Sequence, residues 1–141
     1  MKKNNLLITP LLLCLTVMVQ SCKQAEGNSS NPFLQEYATP YGTAPFHLIK
    51  AEHYEPAMRE GIAAEEKEIE TIVNNPEAPT FANTIVPYAN SGALLNNVLS
   101  VFYNLMEAET NDTLQEIAQK MSPVLTEHSN NISLNPELFK R

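Results

Sequence analysis

Apolar residues recur every three or four positions along three stretches of this chain, and each stretch ends in a run that a helix cannot continue through. In the first, Tyr54, Met58, Ile62, Ile69, Ile72 and Val73 fall on one face, predicting a helix over about 52–73 that Asn74-Asn75-Pro76 ends. Pro56 belongs to its first turn, and Glu55 and Arg59 form an i,i+4 pair of favourable order. In the second, Leu95, Val98, Leu99, Phe102, Leu105 and Met106 make a continuous stripe, predicting a helix from about 80 to 109. Thr80 and Asn83 compete as its N-cap, and Pro87 and Gly92 bend its first half or delay its start. The third, over 113–130, places Leu114, Ile117, Met121, Val124, Leu125 and His128 together, with Pro123 expected to kink it and Glu116 paired to Lys120. Asn135-Pro136-Glu137 is a cap with proline at the first helical position, so a fourth helix starts there with Leu138 and Phe139 as its first core residues. No alternating strand pattern and no repeat stand out, so the fold class is all-α, built of antiparallel helices.

Ahead of these helices, residues 31–45 hold Pro32, Pro40, Gly42 and Pro45, which predicts an irregular arm. Its aromatic residues Phe33, Tyr37, Tyr41 and Phe46 are expected to pack along the helical body. The N-terminus reads differently again. Lys2 and Lys3 precede 14 apolar-dominated residues, 6–19, too short to span a bilayer and suited to the core of a signal peptide. That stretch closes in Val19-Gln20-Ser21-Cys22, which resembles the bacterial lipobox, though Gln20 is an unusual occupant. The resemblance makes 1–21 a lipoprotein signal peptide, Cys22 the lipidated residue, and the polar run 22–31 a tether. The alternative is an ordinary secretory signal with a chance cysteine. Cys14 leaves with the leader, so Cys22 has no disulfide partner in the mature chain, and lipidation would cap its thiol. The expected location is the cell envelope, on the periplasmic side or in the outer membrane, held to the membrane through the lipid.

Composition limits the partners. Hydrophobic residues at 43% exclude disorder throughout. Without Lys2 and Lys3, seven basic residues face 16 acidic ones, a balance that repels phosphate backbones and excludes nucleic acid as a partner.

Chemistry is sparse. His47, His53 and His128 have no i,i+4 spacing among them, and H-E-x-x-H is absent, so no metal ligand is assigned. His128 reads as a hydrogen-bonded core or interface residue. Glu65, Glu66 and Glu70 read as a solvated face rather than an acid/base pair. No nucleophile arrangement and no glycine-rich phosphate loop are present, and no catalytic residue is assigned.

Several segments in order carry a family resemblance: Asn31-Pro32-Phe33-Leu34, Pro45-Phe46-His47-Leu48-Ile49-Lys50, Glu52-His53-Tyr54-Glu55-Pro56-Ala57-Met58, Asn75-Pro76-Glu77-Ala78-Pro79-Thr80-Phe81-Ala82-Asn83-Thr84-Ile85, Thr110-Asn111-Asp112 and Leu134-Asn135-Pro136-Glu137-Leu138-Phe139. Together they resemble the N-terminal region of the peptidyl-dipeptidase and oligopeptidase A branch of the thimet oligopeptidase family of zinc metallopeptidases. The resemblance implies a larger helical, two-lobed fold around a channel, cleavage of short peptides, and release of C-terminal dipeptides in the dipeptidase branch. In the family, zinc sits on the two histidines of H-E-x-x-H and a downstream glutamate, none of which has a counterpart here. Residues 32–141 are therefore expected to be a non-catalytic scaffold piece, truncated before the catalytic domain that is its missing partner and that would carry the zinc. The competing expectation is a standalone helical envelope lipoprotein that binds peptides or a protein partner without catalysis.

Overall fold

The computed structural model describes residues 31–141, so the expectations for the leader, for Cys22 and for residues 22–30 of the tether lie outside the described residues. Two tight turns form the arm. In the first, Pro32–Leu34, the buried Asn31 side chain accepts from the Phe33 N–H at 3.1 Å and donates to the His53 carbonyl at 2.9 Å, fastening the arm to the first helix. Phe33 is buried and Tyr37 packs against the core, as expected of them. Tyr41 and Phe46 do not pack: they are 102% and 55% exposed. Tyr41 occupies the second turn, Pro40–Gly42, with φ at 61°, a left-handed conformation that turns the chain sharply and leaves its ring in solvent.

Helix α1 covers Ala51–Val73. At its start the Lys50 N–H donates to His53 Nδ1 at 3.1 Å, and at its end the Asn74 N–H donates to the Glu70 carbonyl. Pro56 falls in the second turn rather than the first, so the Glu52 carbonyl lacks its i+4 backbone donor. The predicted second helix is broken in three. Thr80 and Asn83 do not compete but cap reciprocally, Thr80 Oγ1 accepting from the Asn83 N–H and Asn83 Oδ1 from the Thr80 N–H. A wide π-type turn, Phe81–Ile85, follows, one residue ahead of Pro87, which has no N–H to give to the Asn83 carbonyl. A short helix α2, Val86–Asn90, leads to Gly92, whose φ of 71° resets the direction for α3, Ala93–Ala108.

Asn111 caps α4, Asp112–Ser133, accepting from the Leu114 N–H at 3.0 Å. The helix runs on through Pro123, which is exposed, so the carbonyl it leaves without a donor can face water. The fourth helical start expected from the sequence is α5, Pro136–Lys140, with Asn135 Oδ1 accepting from the N–H groups of Glu137 and Leu138. Phe139 is 92% exposed and Leu138 half-buried. Arg141 folds back, donating from its guanidinium to the carbonyls of Asn75 at 2.8 Å and Glu77 at 3.1 Å.

Contacts give the directions. As α1 advances through Tyr54, Gly61 and Glu68, its neighbours retreat through Phe102, Leu95 and Gly92, so α3 is antiparallel to it. Glu55 meets Lys120 and Glu65 meets His128, so α4 runs parallel to α1. The described residues contain no strand, and the fold class is all-α, as read from the sequence. The core is Phe33, Tyr54, Ala57, Met58, Leu95, Val98, Phe102, Leu114 and Met121. Tyr54 lies between Phe33 and Phe102, with ring centroids 5.2 and 5.0 Å apart in tilted and edge-on geometry.

Two substitutions test this packing. A Cβ on Gly61 would sit 2.8 Å from Leu95 Cα and 2.9 Å from its nitrogen, backbone atoms that cannot rotate away. Alanine gains about 1 kcal/mol in helix propensity, while overpacking costs about 1–3 kcal/mol. Gly61→Ala therefore lowers stability by a net of up to about 2 kcal/mol, seen as a lower urea midpoint at unchanged slope. The Tyr54 hydroxyl is buried with no hydrogen-bond partner among the described residues. Tyr54→Phe leaves stability unchanged or raises it by about 1 kcal/mol. Burial also lifts the Tyr54 pKa above 10.0, so native stability falls as pH rises past that value, and the phenylalanine variant loses that part of the alkaline decline.

Candidate functional site

The chemistry-bearing side chains gather where α1, α3 and α4 meet. His47 is exposed in the arm, and His53 is engaged as the start cap of α1. His128 projects from the buried face of α4 and is 5% exposed, the hydrogen-bonded interior residue its position in the apolar stripe predicts. Its Nε2 lies 2.8 Å from Glu65 Oε2, and its Nδ1 is 3.8 Å from Glu66 Oε1, beyond hydrogen-bond reach, and buried without a partner among the described residues.

Glu65 corrects the sequence reading. It was expected on a solvated face, yet its side chain is 18% exposed, while Glu66 beside it is 58% exposed. The two neighbours point about 100° apart on the helix, which turns one inward and the other outward. Space for the Glu65 carboxylate comes from Gly92: a Cβ there would lie 2.6 Å from it. The same glycine donates its N–H to Glu68 Oε2 at 2.8 Å, so the turn into α3 is clipped to α1. The sequence signal for this joint was the lone glycine between two helical stripes. Nothing in the sequence pointed to its carboxylate partners.

A histidine on a carboxylate is the kind of pair that can move a proton. Here His128 and Glu65 face a cavity of about 290 Å³ that also takes in Tyr88, Asn96, Ser129 and Ser133. Apart from Glu65, no side chain hydrogen-bonds to His128 among the described residues, so no nucleophile is engaged. Glu65 and Glu66 approach opposite ring nitrogens and cannot share one ion with the imidazole. Among the described residues no three His, Cys, Asp or Glu side chains converge so as to hold a metal ion. No helix among them is long and apolar enough to cross a membrane.

A second polar joint lies nearer the start of α1. Glu55 accepts from Arg59 Nε at 3.0 Å, the expected pair, and from Lys120 Nζ at 2.7 Å. Lys120 was expected to pair with Glu116 along α4; it reaches across to α1 instead, where Glu55 is the better shielded carboxylate. The Lys120 hydrogen bond, offset in part by burial and aided by Arg59, holds the Glu55 carboxyl below its ordinary 4.5.

Capped helix starts, interhelical polar clips and a histidine held by a carboxylate together fix the joints between α1, α3 and α4. Comparison with known proteins places the chain. The chain is 46% identical over 113 residues to the dipeptidyl carboxypeptidase of Salmonella typhimurium, covering 80% of this chain and 17% of that protein. It is 44% identical over 111 residues to the dipeptidyl carboxypeptidase of Escherichia coli, covering 79% and 16%. With the oligopeptidase A of Haemophilus influenzae the identity is 30% over 110 residues, covering 78% and 15%. No family model matches. The chain matches the N-terminal region of enzymes of the dipeptidyl carboxypeptidase and oligopeptidase A branch of the thimet oligopeptidase family. It spans about a sixth of the length of the curated relatives it matches.

The Glu55 joint makes the acid behaviour testable. Because the folded pKa is depressed, its stabilisation is present above 4.5 and is lost as pH falls through the folded value. Thermal melts across that range should show Glu55→Gln less stable by about 0.5 kcal/mol at neutral pH, the scale of a half-exposed ion pair. Below the folded pKa the variant and the parent should converge.

Proposed function

We propose that residues 32–141 are a non-catalytic scaffold of a peptidyl-dipeptidase that hydrolyses short peptides and releases C-terminal dipeptides. The 46% identity to a dipeptidyl carboxypeptidase along 113 residues carries this reading. The match covers 80% of the chain, and the described residues fold into capped, mutually clipped helices, which fits a wall of a larger molecule. On this reading the polypeptide continues into a catalytic part, its partner in the same chain, and short peptides are substrates of the whole.

Zinc, which the family resemblance implies for the whole enzyme, does not fit the described residues. His53 Nδ1 is taken up by the Lys50 N–H, His128 Nε2 is taken up by Glu65, and His47 stands in the exposed arm. On this reading the zinc ligands would come from the catalytic part. The reading further includes lipid attachment at Cys22 and residence in the cell envelope, supported by the apolar leader and the Val19-Gln20-Ser21-Cys22 sequence.

Two measurements check it. Given zinc and a blocked short peptide, the product of the complete gene should release C-terminal dipeptides, and the 22–141 segment should release none. Zinc-dependent turnover by the segment alone, free of contaminating enzyme, would overturn the scaffold assignment. For the anchor, Cys22→Ser should move the protein from the membrane pellet to the soluble fraction; unchanged membrane association would remove lipidation from the account.

A further inference from the structure

An apolar groove of about 430 Å³ opens between the α2 segment and α5, where Ile85 and Tyr88 meet Ile132, Leu138 and Phe139 beside Arg141. Phe139 is 92% exposed, and Ile85 and Tyr88 are 49% and 44% exposed. One helical turn ahead of Ile85, Phe81 continues the apolar row at 72% exposure. A patch of this kind marks a surface made to be covered.

Its lining narrows the occupant. Among the described residues no acidic side chain contributes to the groove. The charge that does, Arg141, gives its two terminal nitrogens to the Asn75 and Glu77 carbonyls, while its Nε is buried without a partner among the described residues. A cationic ligand finds no carboxylate there, and what the groove mainly offers is an exposed row of apolar side chains. We infer that this groove seats a helix supplied by the same polypeptide downstream of residue 141, lying with its apolar face on Ile85, Tyr88 and Phe139. The inference rests on the reading that the gene encodes a whole peptidase.

Three observations favour that occupant. The match covers 17% of the Salmonella enzyme, so most of a protein of that kind has no counterpart in these residues. Arg141 is pinned beside the groove, so a segment following it starts there, and closing a short connection costs far less than recruiting a separate molecule. The described residues offer no strand edge, so a segment laid in the groove has to satisfy its own backbone, which a helix does.

The test uses the complete gene product with p-benzoylphenylalanine in place of Phe139, irradiated and mapped by peptide mass spectrometry. Cross-links to residues beyond 141 of the same chain are expected. Cross-links to a second copy, read from mixed isotope-labelled chains, to another protein, or to no peptide at all would overturn the assignment. In parallel, Phe139→Cys should react with maleimide many-fold more slowly in the native product than in urea; equal rates count against the groove being covered. Intact mass separates the two readings. A product ending at residue 141 removes the proposed function and the inference with it, whereas a long product with an uncovered groove removes the inference alone.

Discussion

The approach of α1 to α3 at Gly61 is the constraint on which the remaining geometry depends. With no side chain at that position, the two backbones come within the space that a Cβ would fill. Ala57 on the same face, fully buried, keeps the interface thin toward the start of α1. That closeness sets where Tyr54 and Phe102 meet, and so where Phe33 from the arm can complete the row of rings. A larger residue at 61 would separate the helices at their waist, and every contact on either side would have to lengthen or slip.

Polar clips at two levels then fix α4 against that pair. Glu55 with Lys120, and Glu65 with His128, bridge the same two helices at points ten residues apart on α1 and eight on α4. Exposed pairs of the first kind contribute little stability, and a buried pair of the second kind recovers little beyond the cost of removing its members from water. Their effect is on register. The apolar stripe of α4 would tolerate a slide by one turn, since it repeats at that interval, but the clips would not survive it. The Glu68 carboxylate on the Gly92 N–H performs the same service for α3.

Much of the fold was legible along the chain because caps and breakers act locally. Asn135 caps the helix it precedes, as in the sequence reading, and α1 and α4 begin and end close to the expected limits. What depends on pairs of helices was not legible. Gly61 and Ala57 carry no hydrophobic signal, although they decide the interhelical distance. Glu65 belongs to a run of acids that looks solvated until the helix is rotated against its neighbours, and Lys120 chooses between Glu116 and Glu55 only once α4 is docked. Of the two effects expected of Pro87 and Gly92 in the helix over 80–109, the delayed start is the one seen, because a missing N–H and a left-handed turn act together and α3 begins only at Ala93. In the arm, aromatic character alone did not distinguish Phe33, inside a turn capped by Asn31, from Tyr41, inside a left-handed one.

Helix α5 shows how far such local signals reach. Five residues are too few to hold a helix through its own hydrogen bonds, since nucleation is costly and propagation has hardly begun. Asn135 supplies two N–H partners at one end, and Arg141 ties the other to the α1–α2 connection. These contacts specify where α5 lies, yet Phe139 remains in solvent and contributes no burial. A segment positioned by polar contacts, with its apolar residues outward, gains its hydrophobic stabilisation when another surface arrives. The described helices thus separate two tasks: α1, α3 and α4 bury their own stripes, while α2 and α5 hold apolar residues ready in a fixed arrangement.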